Sequence, residues 1–174
     1  MRQGYQRSTV GGGLTILLVA LLLGCGTTVP SGPVSFSIDY ATGSIPPPYN
    51  HHYAIDVEFT DDGAQVTYQL EYRYRESLTE EELLEAGYGP DDDIRWSGTF
   101  PPAVAEEWLA VARSGTLTGS AEPAPGSDTL LVRVTHSDNL SRAGAPTERE
   151  PWEDIARQVD GTARRELGVE RPSP

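Results

Sequence analysis

Residues 53–74 read YAIDVEFTDDGAQVTYQLEYRY, and strict alternation runs through both halves of that stretch. Tyr53, Ile55, Val57 and Phe59 alternate with Ala54, Asp56 and Glu58. Val66, Tyr68, Leu70, Tyr72 and Tyr74 alternate with Thr67, Gln69, Glu71 and Arg73. Successive side chains of a strand point to opposite faces, so each half predicts a strand with one aliphatic and aromatic face and one polar face. Asp61-Asp62-Gly63 supplies the turn chemistry of a hairpin between them. An antiparallel sheet with a wet side and a covered side follows.

Upstream, Val34, Phe36, Ile38 and Tyr40 alternate with Ser35, Ser37 and Asp39 and predict another strand. Pro46-Pro47-Pro48 then fix φ and predict a polyproline II loop, with Tyr49 outside any core pattern. Downstream, Thr79-Glu80-Glu81-Glu82 reads as a capping box opening a short helix that stops at Gly87. Ile94, Trp96 and Phe100 predict a fourth strand, weakened by Gly98. Pro101-Pro102 opens a helix whose inner face carries Val104, Trp108, Leu109 and Ala112, and Gly115 ends it. Residues 116–127 predict a mobile loop, Leu130, Val132 and Val134 a fifth strand, and residues 137–150 a second loop. Pro151 opens a last helix with Trp152, Ile155, Ala156, Val159 and Leu167 inward, ended or bent at Gly161. The fold class is α+β: an antiparallel sheet of about five strands with two or three helices on one face.

The N-terminus carries an address. Arg2 and Arg7 precede the apolar run from Leu14 to Leu23, and no acid occurs before Asp39. A basic start followed by a run too short to span a bilayer comfortably predicts a secretory signal. Leu22-Leu23-Gly24-Cys25, containing the chain's only cysteine, resembles the lipobox of bacterial lipoproteins. That resemblance implies cleavage before Cys25, a diacylated Cys25 sulfur and an acylated first residue. Gly26 follows it; the resemblance implies the outer membrane where a cell has two. The expected organisation is a signal peptide over residues 1–24, a lipidated tether over 25–33, one α+β domain over 34–167 and a frayed tail over 168–174.

Removing the signal takes away two of the 13 basic residues, all arginines, and none of the 26 acids. The mature chain then carries 11 arginines against 26 acids, a net charge of −15. Such a surface repels nucleic acid and anionic head groups and favours solubility or a cationic partner. With Cys25 acylated, no thiol is left for a disulfide, and stability rests on packing.

Chemistry-bearing residues are sparse. His51 and His52 stand beside the proline loop, but neighbours on a strand face opposite ways and do not easily share one ion. His136 and Asp138 are the conceivable complement to either. Asp91-Asp92-Asp93 and Asp61-Asp62-Gly63 lack the spacing of a calcium loop. No nucleophile elbow, phosphate loop, dinucleotide fingerprint or zinc-protease helix occurs. No metal or cofactor is therefore assigned, and no catalytic residue. Most regularly spaced Trp and Tyr residues fall on predicted core faces; Tyr49, His51 and His52 are the candidate binding residues.

Three function classes remain on this reading: a non-catalytic domain binding a protein or peptide, a structural or assembly lipoprotein, and a small metal-dependent hydrolase. The order of a strand, a glycine-containing loop, a strand, a helix entered through prolines or acids, a further strand and a final helix resembles the emfourin-type inhibitors of secreted metalloproteases. The resemblance spans Val34–Val159 with large insertions and no specific motif. It implies a protein partner rather than a reaction.

Overall fold

Alternation becomes register in three consecutive strands. A computed structural model describes residues 32–89, 92–119 and 124–170. Strands β1 (Pro33–Ala41), β2 (His51–Thr60) and β3 (Gly63–Tyr72) pair antiparallel, with Phe36 opposite Val57, Ile38 opposite Ile55 and Val57 opposite Val66. Each of these partners lies on the same face, so one buried layer forms from the alternating residues of all three. Thr60 pairs with Gly63 across Asp61-Asp62; Gly63 has φ 128°, a backbone that glycine adopts without penalty. β3 ends two residues before the alternation does. Tyr74 takes a left-handed backbone at φ 63° and its side chain is exposed, which starts a single 3-10 turn over Arg75–Ser77.

The capping box forms as read: Glu82 N–H donates to Thr79 Oγ1, and Thr79 N–H donates to Glu82 Oε2, opening α1 (Glu80–Glu85). β4 (Ile94–Phe100) pairs with β3. Gly98 is there for space, because a Cβ on it would collide with the indole of Trp96. Helix α2 (Pro102–Ser114) buries Ala105, Trp108 and Ala112 and ends before Gly115, whose backbone is extended. Gly115 makes room for Trp152, which a Cβ there would crowd.

The sheet has seven strands, ordered β4-β3-β2-β1-β6-β7-β5, where five were expected. β6 (Thr129–His136) is the expected fifth. The additions are β5 (Leu117–Thr118), inside the stretch read as a mobile loop, and β7 (Ser141–Pro146), inside the second loop. Neither alternates clearly: β5 is two residues long, and β7 reads SRAGAP. Backbone pairing at the sheet edge holds them, and Gly144 lets β7 approach Thr118 where a Cβ would clash. Arg142 on β7 donates to the carbonyls of Ala112 and Gly115, which satisfies the end of α2.

Helix α3 (Glu150–Leu167) runs through Gly161 without a break, and Leu167 is exposed rather than inward. It buries Trp152, Ile155, Ala156, Val159 and Ala163 against the sheet. Trp152 meets Phe36 edge-on at 5.4 Å, and Trp108 meets Phe100 at 4.6 Å. α2 and α3 thus cover one face with a single core, while the other face carries Ser37, Asp56, Thr67 and Arg133. α1 buries Leu83 outside that core cluster. No helix among the described residues is long and apolar enough to cross a membrane. Cys25, the signal and most of the tether lie outside the described residues, as do Asp91 and residues 171–174.

Candidate functional site

The two helices leave one end of the inner sheet face uncovered. The strands change composition there: Phe36 and Ile38 give way to Tyr40 on β1, Val57 and Ile55 to Tyr53 and His51 on β2, and the buried Val66, Tyr68 and Leu70 to Tyr72 on β3. Register brings these together, with Tyr40 opposite Tyr53 and His51 opposite Tyr72. A groove of 610 Å³ opens over them. That size suits a small ligand or a few residues of a peptide.

The floor is formed by Tyr40, Tyr53, Tyr68 and Leu70. One wall is a stripe of α3, with Glu153, Ala156, Arg157, Asp160 and Arg164 at helical spacing. The facing wall carries Ile45, Tyr49, His51, Tyr72 and Tyr88. Six of the chain's eight tyrosines therefore line one groove. Their rings make a continuous path. Tyr49 meets Tyr88 at 5.8 Å, Tyr88 meets Tyr72 at 5.2 Å, and Tyr72 meets His51 at 5.9 Å. His51 lies 5.6 Å from Tyr40, which stacks on Tyr53 at 4.8 Å, and Tyr53 reaches Tyr68 at 6.4 Å.

Polar contacts hold these rings in place. Tyr40 O–H donates to Asp128 Oδ2 at 2.8 Å, and Gly43 N–H donates to Asp128 Oδ1 at 2.7 Å. Those two donors hold the Asp128 carboxyl below the usual carboxylate range, with the Gly43 N–H the stronger influence. Tyr68 O–H donates to Asp160 Oδ1 at 3.0 Å, and Arg164 Nε donates to the same oxygen at 2.8 Å. The Arg75 guanidinium lies 4.2 Å over the Tyr72 ring and 5.1 Å over Tyr88, and it donates to Gly89 C=O. One cation therefore locks two rings of the wall through their negative faces.

Burial raises the phenol pKa values. Tyr53 is pushed up to about 12, chiefly by burial and then by the Glu153 charge. Tyr40 and Tyr68 are also raised, first by burial and then by the carboxylates Asp128 and Asp160. At neutral pH these hydroxyls are protonated donors. These tyrosines thus offer the groove π faces and O–H groups.

Of the candidate residues, Tyr49 and His51 line the groove, and His52 does not. His51 Nδ1 lies 2.9 Å from Tyr49 C=O, whereas His52 Nε2 lies 3.0 Å from Asp39 Oδ2 on the opposite face. The proline loop is a turn rather than polyproline II: Tyr49 N–H donates to Pro46 C=O around a cis Pro47–Pro48 bond. That reversal brings Tyr49 back over the sheet. His136 joins neither histidine. It pairs with Pro33 at one end of β1, and His52 pairs with Ala41 at the other. Eight residues of strand separate those ends by roughly 26 Å. Asp138 is occupied in a local turn, accepting from Leu140 N–H. Among the described residues, no group of three or more His, Cys, Asp or Glu side chains is placed to hold a metal ion.

Tyr40, Tyr53, Tyr68 and Tyr72 read from sequence as core; Tyr68 is core, 2% exposed, whereas Tyr40, Tyr53 and Tyr72 are half-buried at its edge, which that reading missed. The signal available was chemical: tyrosine recurs at one end of adjacent strands where the other end uses Ile, Val and Phe. Compared with known protein families, curated proteins and solved structures, the chain matches none.

Proposed function

We infer that this protein is a lipid-anchored lipoprotein of the cell envelope whose domain binds a peptide or protein segment, without catalysis, in the tyrosine groove. The observation that carries the reading is the continuous path of aromatic rings lining the groove beside α3, with Tyr49 exposed and Tyr40, His51, Tyr53 and Tyr72 half-buried. Tyrosine supplies large, rigid contact area with a polar tip and loses little conformational freedom on binding. The rings are already braced by Asp128, Asp160 and Arg75, so the surface is preformed. The acidic chain, net −13 before any processing, speaks against nucleic acid and for a neutral or basic partner.

The test is selection of peptides from a random display library by the immobilised chain, followed by titration of the winners. Binding that falls about tenfold or more in Tyr53→Ala supports the groove. Winners indifferent to Tyr53→Ala and Tyr72→Ala would place the contact elsewhere and overturn it. The anchor has its own test. Cys25→Ser is expected to abolish incorporation of labelled lipid and to stop cleavage after Gly24. Normal processing of that variant would sink the lipoprotein reading.

A further inference from the structure

The groove holds paired charges and free phenol hydroxyls. Each carboxylate on or beside it already accepts from a neighbour: Glu153 from Arg149, Asp160 from Tyr68 and Arg164, and Asp128 from Tyr40 and Gly43. The wall charges also balance, with Glu153 and Asp160 against Arg157 and Arg164. Donors remain for a ligand. Among the described residues, the hydroxyls of Tyr49, Tyr53 and Tyr88 have no hydrogen-bond partner. Arg157 pairs with Asp154, yet its side chain is 62% exposed and has further N–H groups to offer.

An ordinary peptide brings one N–H and one C=O per residue and loses backbone freedom when it docks. A prolyl peptide brings carbonyl oxygens and no N–H. Its backbone is preset as polyproline II, unpaired and solvated, so little order is lost on docking. Pyrrolidine rings are flat apolar plates that suit tyrosine faces, the mode by which proline-rich segments enter aromatic grooves.

We propose that the groove takes a proline-rich peptide segment in the polyproline II conformation. Its carbonyl oxygens accept from Tyr53 and Arg157, and its rings lie on Tyr40, Tyr53 and Tyr72. A basic residue beside the prolines is favoured by the acidic surface. This rests on reading the groove as a peptide site.

The probe is a labelled oligoproline carrying a single arginine, titrated by fluorescence anisotropy against the full chain in detergent. The control is an alanine–glutamine peptide of equal length with the same arginine. The oligoproline is expected to bind about tenfold tighter or better. Tyr53→Ala is expected to cost about tenfold or more. Tyr53→Phe keeps the ring and the fold but removes the donor, for a loss of about threefold to tenfold. Ile45→Arg, at an exposed rim position, places a like charge in the path of the ligand and weakens binding further. Equal binding of the two peptides, or oligoproline binding indifferent to all three variants, overturns the proposal. If library-selected peptides without proline bind at a Tyr53-dependent site while oligoproline does not, the proline assignment fails and the peptide reading stands. If neither binds, both fail.

Discussion

Each of β1, β2 and β3 serves two different environments along its length. Beneath α2 and α3 their inner face is Phe36, Ile38, Ile55, Val57 and Val66, all nearly inaccessible to water. Beyond the helices the same face becomes Tyr40, Tyr53, Tyr72 and His51. The covered end can use purely apolar groups because nothing there needs a polar partner. The open end needs area that is apolar on its faces and wettable at its tip, and tyrosine meets both demands. The comparison teaches that burial of a sheet face is set by helix length and position, and that residue choice follows it strand by strand.

The largest effect should come from the covered end. Trp152→Ala removes a side chain that is 1% exposed and wedged between Phe36 and Gly115, so a loss of about 3–5 kcal/mol is expected in urea or thermal unfolding. A loss well under that range would mean the two ends are equally loose, and the contrast would break. Gly98→Val comes next. Its side chain would enter the space held by the Trp96 ring, whose indole N–H donates to Glu166 at 2.9 Å, and a cost of about 1–3 kcal/mol is expected. Retained stability with Trp96 fluorescence shifted towards that of a solvated indole would show that the ring had simply moved out.

Gly161→Ala should act in the opposite direction. A Cβ there meets nothing within 4 Å, and the helix passes straight through, so a gain of about 0.4–1 kcal/mol is expected. No gain would point to a functional use of that glycine beside the groove.

The smallest effect at neutral pH belongs to the open end. Tyr53→Phe should leave stability within about 0.5 kcal/mol, because the ring stays and the lost hydroxyl has no partner. The difference appears in alkali. The folded-state pKa of Tyr53, about 12, lies above the ordinary phenol value of 10.0, so folding holds the proton more tightly than the unfolded chain does. Its contribution to stability is complete below pH 10 and is lost as the pH rises through about 12. Tyrosinate absorbance of wild type minus Tyr53→Phe should show a titration displaced upwards from ordinary tyrosine. A normal titration would mean that Tyr53 is bathed in water, and the groove would have no floor.

Much of the sheet was legible beforehand. Strict alternation in β1, β2 and β3 set the faces, the aspartates before Gly63 set the turn, and Thr79 with Glu82 set a helix start, since each of these rules acts within a few residues. β5 and β7 were not legible, because two residues of β5 and the glycine- and proline-containing β7 carry no period; edge pairing alone makes them strands. The reading of Gly161 as a helix break failed for a related reason. A glycine costs about 1 kcal/mol in a helix, and the packing of Trp152, Ile155, Val159 and Ala163 outweighs that.

The candidate site divides in the same way. Tyr49 and His51 stood out because their loop broke the core pattern, and the turn at Pro46 does carry them to the groove. Composition and local order were enough to read the acidic charge, the strand faces and which residues are aromatic, since these are properties of neighbours along the chain. Whether a tyrosine is floor or core depends on how far α3 reaches across the sheet. Whether His136 meets His51 depends on which end of β1 each strand pairs with. Those are distances between segments far apart in sequence, and only the pairing register and the helix packing set them.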